Sequence, residues 1–388
     1  MELQFQFATA GQILFGSGRL KEAGNLARSF GRKVLVICGS NPDRCHPLLA
    51  HLQRAECQVK VLPIKGEPTV TDVGNGARLA RGLGSEVIIG FGGGSAIDAA
   101  KAISALATNH KEVLHYLEVI GDGQPLTEDP LPCIAIPTTA GAGAEVTRNA
   151  VIKSPEQGFK VSLRHPLMLP RIALVDPELT LSLPPDVTAQ TGMDALTQLI
   201  EPYVCRRRSP LTDSICLEGM DRAARSLRTA VTNGADIQAR ENMCVASLFG
   251  GLALANAGLG AVHGFAAPIG GQFDAPHGAV CAALLPAVMH TNIQSLSRTD
   301  QPDSEEIIDR YRNISRLLLM MNGVEPEDGA SWVAKLAEDL RIPGLSRWGI
   351  RKEDLPGLVE KGRRASSMKP NPVELNPGEL AAILEASL

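Results

Sequence analysis

The first half of the chain alternates short, β-branched apolar runs with longer stretches whose apolar residues recur every three or four positions. Residues 33–38, 59–63, 86–90, 133–136 and 172–175 carry the pattern of buried strands. The patterns at 19–30, 46–55, 71–82 and 96–107 are helical. Strands alternating with helices predict a mostly parallel sheet covered on both faces. After Leu183-Pro184-Pro185 the texture changes. Strand runs stop, and helical patterns occupy 187–203, 209–232, 237–257, 278–291, 304–322, 328–340 and 377–387. The expected division is an α/β domain over residues 1–181 and an all-helical domain over 182–388.

A length of 388 residues suits two domains, and 44% hydrophobic with 21% charged residues is the composition of a globular protein. A net charge of -4 argues against a nucleic-acid partner, which needs a basic stripe. With aromatics at 4%, few rings are available to stack on bases. No apolar run reaches membrane-spanning length, so no membrane partner is expected. The opening Met-Glu-Leu-Gln-Phe-Gln-Phe lacks the basic and apolar regions of a signal peptide. Eight scattered cysteines with no CxxC pair read as reduced thiols, and the expected location is the cytoplasm.

Candidate chemistry lies in three places. Ile88-Ile-Gly-Phe-Gly-Gly-Gly-Ser95 runs from a strand through a glycine turn into a helix. Such a turn lets backbone N–H groups approach a phosphate beside a positive helix end, with Ser95 placed to cap that helix. It is not GxGxxG. A second loop, Pro137-Thr138-Thr139-Ala-Gly141-Ala-Gly143, follows the fourth strand pattern and offers two hydroxyls at the same sheet edge. The third place is Gly258-Leu-Gly-Ala-Val-His263 through Pro276-His277-Gly278, a small and oily segment in which two imidazoles need a reason. Upstream, Asp194 and Gln198 are four apart and share one helix face. A carboxylate and two imidazoles converging from separate helices make a divalent-metal site. Glu201, seven positions after Asp194, either supports that site or caps a helix near Pro202. Met193, Leu196, Ile200 and Tyr203 on the same helix form a core stripe. The histidines at 46, 51, 110, 115, 165 and 290 read as structural.

In combination, Gly92-Gly-Gly-Ser-Ala-Ile-Asp98, Pro137-Thr-Thr-Ala-Gly, Val175-Asp-Pro-Glu-Leu179, Thr191-Gly-Met-Asp-Ala-Leu and the pair His263/His277 resemble the iron-containing (group III) alcohol dehydrogenases nearly end to end. The resemblance implies a dehydroquinate-synthase-like fold, with a Rossmann-like dinucleotide-binding domain followed by a helical metal- and substrate-binding domain and an active site in the cleft between them. It implies NAD or NADP, a divalent metal (Fe2+ first, Zn2+ second), a small alcohol or aldehyde as substrate, and a homodimer. By position it assigns Asp194, Gln198, His263 and His277 to the metal. Gly39, Gly93, Gly94, Ser95, Asp98, Thr138, Thr139 and Leu179 go to the cofactor, as does Lys160 unless that side chain is simply solvated. Asp194, His263 and His277 would act in catalysis through the metal.

Four positions depart from the family's usual pattern. Gln198 stands where a third imidazole is usual, and an amide oxygen is the weaker ligand. Ala267 stands where a further His is common. Gly39-Ser40-Asn41 replaces an Asp that would repel a 2′-phosphate, which leaves NADP open. Ala142 and Ala144 stand where hydroxyls are common. Two rival readings follow. One keeps the fold for an anionic substrate of the polyol-phosphate or dehydroquinate-synthase type, for which the neutral surroundings of the histidines are poorly suited. The other is a nucleotide-binding protein whose metal site Gln198 has disabled.

Overall fold

A computed structural model describes residues 4–118, 120–156 and 159–388. They pack as two units. One comprises Ala8–Thr139 with Gly143–Ser182. The other comprises Leu183–Leu388, with Ala140–Ala142 and a short N-terminal stretch ending at Phe7.

In the first unit the strands are β1 (Gln12–Phe15), β2 (Lys33–Cys38), β3 (Gln58–Pro63), β4 (Val87–Gly92), β5 (Cys133–Pro137), β6 (Asn149–Ser154), β7 (Phe159–Arg164) and β8 (Ile172–Val175). The helices are α1 (Ala23–Phe30), α2 (His46–Arg54), α3 (Val70–Leu83), α4 (Gly94–Thr108) and the single turn α5 (Val113–Tyr116). Six strands form one sheet in the order β1-β8-β5-β4-β2-β3, with every pairing parallel. The predicted α/β fold is therefore present. Side chains alternate across the sheet as a two-residue period requires. Val34 and Val36 of β2 pack with Leu48 and Leu52 of α2. Leu35 and Ile37 pack on the other face with Ile103 of α4 and Val73 of α3. Burial on both faces explains why the strands read as unbroken apolar runs. Burying each such Leu or Ile contributes about 1.5–3 kcal/mol.

Two features exceed the sequence expectation. β1 is an edge strand with only Leu14 buried, too short and too exposed to show a pattern. β6 and β7 form a separate antiparallel hairpin, Asn149 opposite Arg164. The strand order also has a functional consequence. The chain runs from β2 outward to β3, then returns to lay β4 on the opposite side of β2. In open α/β sheets, the carboxyl ends flanking such a reversal form a ligand crevice. Here those ends carry Gly39 and the Gly92–Gly94 turn.

Apart from its short attached segments, the second unit is helical. Its helices are α6 (Pro185–Val204), α7 (Pro210–Thr232), α8 (Ile237–Asn256), α9 (Ala261–Phe273), α10 (His277–Leu296), α11 (Ser304–Leu319), α12 (Pro326–Asp339), α13 (Leu355–Arg364) and α14 (Pro377–Ala386). Several starts are set by local chemistry. Ser209 and Thr212 form a reciprocal capping box ahead of α7, and Asn376 and Glu379 do the same for α14, each with Pro at the first helical position. The expected core stripe of α6 is buried along its length.

α9 was not visible as a helix in the sequence. It holds Gly264, Gly270, Gly271 and Pro268, all poor helix formers. Tertiary packing overrides propensity there: Val262, Phe265 and Ile269 are fully buried, and a Cβ on Gly264 would lie 2.8 Å from the Met368 side chain. α10 corrects another expectation. Its 20 residues are long and apolar enough to cross a membrane, but 67% of the apolar window is buried inside the protein, which makes it a core helix. It extends past the predicted end because Asn292 is buried and bonded to Tyr311 and Asn371. All eight cysteines are free thiols.

Candidate functional site

In the α/β unit the glycine turn links β4 to α4. Gly92 has φ +156°, and a Cβ there would stand 2.8 Å from that of Ala96, so only glycine fits. The turn meets the second loop directly. Thr138 N–H donates to the Gly92 carbonyl at 2.9 Å, and a Cβ on Gly93 would touch Thr139 Oγ1 at 3.4 Å. Gly39 is open, with nothing within 4 Å of its Cβ position. The expected cap is corrected. Gly93 is the N-cap of α4 and no side chain caps it, while Ser95 already lies within the helix. The first N–H groups of α4 thus have no side-chain acceptor, as an anion site requires.

The remaining members of the predicted set are held by other bonds. Asp98 accepts from Val151 N–H at 2.9 Å and pairs with Lys101 Nζ at 2.9 Å. Lys160 Nζ pairs with Glu67 at 2.6 Å and is nearly buried, so it is not a solvated lysine. Leu179 packs against the sheet core.

In the helical unit, three helices bring four donors together. Asp194 comes from α6, His263 from α9, and His277 and Cys281 from α10; their ligand atoms all lie within 4.8 Å of one another. Asp194 Oδ1 is 3.5 Å from His263 Nε2 and 3.7 Å from His277 Nε2. Asp194 and His263 are buried, whereas the side chain of His277 is 43% exposed. Asp194 Oδ1 and Gln198 Oε1 are buried without a hydrogen-bond partner among the described residues. Buried carboxylate oxygens are rarely left this way, and a cation among Asp194, His263 and His277 would satisfy Asp194 Oδ1.

Glu201 locks this geometry. Its Oε2 is 2.6 Å from His263 Nδ1, and its Oε1 accepts from Val262 N–H at 2.8 Å. One carboxylate therefore caps α9 and orients the ring so that Nε2 faces Asp194. Asn371 Oδ1 takes the next N–H, that of Ala261, at 3.0 Å. α10 begins at His277 directly after Pro276, which fixes the entry angle of the second ring. Its close approach to α6 depends on Gly278, where a Cβ would stand 2.6 Å from the Gln190 carbonyl oxygen.

The charges of the cluster reinforce one another. Burial works to raise the Asp194 carboxyl, but His277 and His263 outweigh it and hold it below the usual range. Burial works to lower His263, yet Cys281, Glu201 and Asp194 lift it well above an ordinary imidazole. Cys281 first, and then Asp194 against the cost of burial, push His277 up to about 9. The site favours positive charge at its centre, the electrostatic signature of a cation site.

The family model described as iron-containing alcohol dehydrogenase matches residues 10–177, and that of the Fe-containing alcohol dehydrogenase family, C-terminal, matches residues 188–388. The chain belongs to the iron-containing alcohol dehydrogenase family. It is 35% identical over 377 residues to alcohol dehydrogenase 4 of Saccharomyces cerevisiae, covering 96% of this chain and 95% of that one. It is 33% identical to 1,3-propanediol dehydrogenase of Klebsiella pneumoniae, covering 98% and 97%. A crystal structure of a 1,3-propanediol oxidoreductase superposes with a TM-score of 0.91 at 30% identity, over 99% of this chain and 100% of that one. Sulfoacetaldehyde reductase from Bifidobacterium kashiwanohense, solved in complex with NAD+, superposes with a TM-score of 0.87 at 26% identity, over 100% and 99%. The fold is that of the family and the chain is an oxidoreductase.

As an iron-containing alcohol dehydrogenase family member, the chain brings Asp194, His263 and His277 together as the sequence anticipated. Gln198 follows on the same helix, with its Oε1 3.6 Å from the position a Cβ would take on Gly250 of α8. Of the two readings of Glu201, the supporting one is what the structure contains. Sequence reasoning missed Cys281. The available signal was its spacing, four residues after His277 and therefore on the same face of α10.

Proposed function

We propose that the chain transfers a hydride between NAD(P)(H) and a small alcohol or aldehyde, with a divalent metal held by Asp194, His263 and His277. The observation that carries this reading is the buried Asp194 Oδ1, unpartnered and facing two imidazole nitrogens. Gln198 Oε1 is a further oxygen donor, one turn along the same helix. When bound, such a metal supplies Lewis-acid polarisation of a substrate oxygen. The chain's own residues do the rest. Glu201 holds His263 in one tautomer, and Asp194 provides the negative charge that retains the cation. The small apolar side chains of α9 exclude water from the ring of His263. With Ala at position 267, no imidazole one turn past His263 is available to move a proton, so His277, the exposed ring, is the nearest titratable group to solvent.

Residues 1–181 are assigned to the dinucleotide. Gly93, Gly94 and Ser95 at the uncapped start of α4 would take the pyrophosphate, with Gly39, Thr138 and Thr139 beside them. Residues 182–388 are assigned to the metal and substrate. Free thiols throughout the chain support a reducing compartment, the cytoplasm, and the relatives support a small-molecule partner in place of nucleic acid or membrane. A homodimer is the expected assembly.

The deciding assay follows NAD(P)H oxidation with a panel of small aldehydes, before chelation, after it, and after return of Fe2+ or Zn2+. Loss and recovery of turnover is the expected result. Full activity in metal-free protein would overturn the metal-dependent reading, and cofactor binding without turnover on any substrate would favour a non-redox protein.

A further inference from the structure

The site contains a donor that the proposed ligand set leaves unused. Cys281 is fully buried, and its Sγ lies 3.7 Å from His277 Nε2 and 3.8 Å from His263 Nε2. With metal–ligand bonds of about 2.0–2.3 Å, neighbouring donors of a tetrahedral site stand about 3.3–3.6 Å apart. Of the separations in this cluster, 3.5 Å lies inside that range, 3.7, 3.7 and 3.8 Å lie just above it, and the two remaining pairs are within 4.8 Å. A slight contraction would close them onto one ion. No rearrangement of the helices is needed, because His277 and Cys281 already share one face of α10.

We propose that Cys281 binds the metal directly as a thiolate, completing an Asp194–His263–His277–Cys281 set, with the thiolate and not the Gln198 amide oxygen as the fourth strong ligand. The inference rests on the metal-dependent reading above. On binding, the S–H bond breaks, the sulfur–metal bond forms and the proton leaves to solvent. The two negative ligands, carboxylate and thiolate, then balance a divalent cation. The softer sulfur shifts preference toward Zn2+ or Co2+ and away from oxygen-seeking ions such as Mg2+ and Mn2+. It also compensates for the weak amide at position 198.

The test uses the full chain, stripped of metal and titrated with Co2+ under anaerobic conditions. An intense near-ultraviolet thiolate-to-cobalt charge-transfer band should saturate at one Co2+ per chain. It should vanish in Cys281→Ser and persist in Gln198→Ala, and Cys281→Ser should bind Co2+ at least about 10-fold more weakly. X-ray absorption on zinc-loaded wild type gives a readout independent of any variant's folding, with one sulfur expected at about 2.3 Å. Stoichiometric cobalt without the band, or a zinc shell of nitrogen and oxygen only, would overturn the thiolate ligand and leave the metal-dependent reading standing. Wild type that binds no cobalt would overturn both.

Discussion

Two buried charged clusters in this chain look alike in composition and differ in closure. In the α/β unit, Lys101 is wholly buried and donates to Ala144 O at 2.9 Å, to Thr147 Oγ1 at 2.9 Å and to the Asn149 carbonyl, while pairing with Asp98. Asp98 in turn holds Val151 N–H. The cluster ties α4 to β6 and to the loop before it, and every Nζ donor has an acceptor. In the helical unit, Asp194 is as deeply buried, yet Oδ1 points between two rings and accepts nothing. In the first cluster Asp98 Oδ1 accepts no hydrogen bond of its own but stands 2.9 Å from Lys101 Nζ, so its charge is met by a cation of the protein and the cluster acts as a strut. The second is complete only with something added. Burial of charge therefore does not mark a functional site by itself; a buried carboxylate oxygen with no lysine or arginine against it, facing two imidazole nitrogens, does.

The largest expected effect separates the two directly. His263→Ala removes a donor from the open cluster and should lower kcat/KM by about 10³-fold or more, the loss of several kcal/mol of metal polarisation. Elemental analysis should show the metal gone from protein that is still folded by circular dichroism, with some loss of stability because the buried Glu201 carboxylate loses its partner. Retained metal and turnover would mean the open cluster is not the site.

Lys101→Met breaks the closed cluster instead. It leaves the partly buried Asp98 carboxylate without its cation and should destabilise by about 3 kcal/mol in urea unfolding, with metal stoichiometry intact. If it reduced metal content in folded protein, the contrast between strut and site would fail.

Glu145 sharpens the closed side. Burial pushes its carboxyl up to about 7 from 4.5. The folded state thus holds the proton more tightly between those values, and its stabilising share is present at low pH and lost as pH rises through about 7. Glu145→Gln lacks this slope. It should match wild type below pH 4.5 and exceed it by up to about 3 kcal/mol at about pH 8. A difference that stays constant with pH would refute the buried ionisation.

The smallest effect is Glu201→Gln. The amide oxygen can still cap α9, but the charge behind His263 is lost. Metal affinity measured by chelator competition should fall about 10–100-fold. Unchanged affinity would reduce Glu201 to a helix cap.

Legibility in the sequence followed the same physics. The inner strands were visible because both faces are buried and their residues run unbroken and apolar, as in Val34–Ile37 of β2. β1 was invisible because a four-residue edge strand buries one side chain. α9 was hidden by its glycines and proline, which are tolerated only because Phe265 and Ile269 are packed from outside the helix. Asp194, His263 and His277 stood out as polar residues in oily segments. Cys281 did not, because a thiol among Val280, Ala282 and Leu284 reads as one more small apolar side chain. Ser95 has the residue type of a cap, but the helix begins two residues earlier, with Gly93 as its N-cap.

The tolerance of the cluster is set by a residue with no side chain. At Gly278 the helix carrying His277 and Cys281 rests on the Gln190 carbonyl, with 2.6 Å to the place a methyl would occupy. A methyl there acts as a wedge against backbone, which cannot swing aside. Relieving it takes a shift approaching an ångström, whereas metal–ligand distances tolerate about 0.2 Å. Alanine at 278 would therefore separate the donors of one helix from the donor of the other without touching any of them. The precision of the site is machined into the spacing between two backbones.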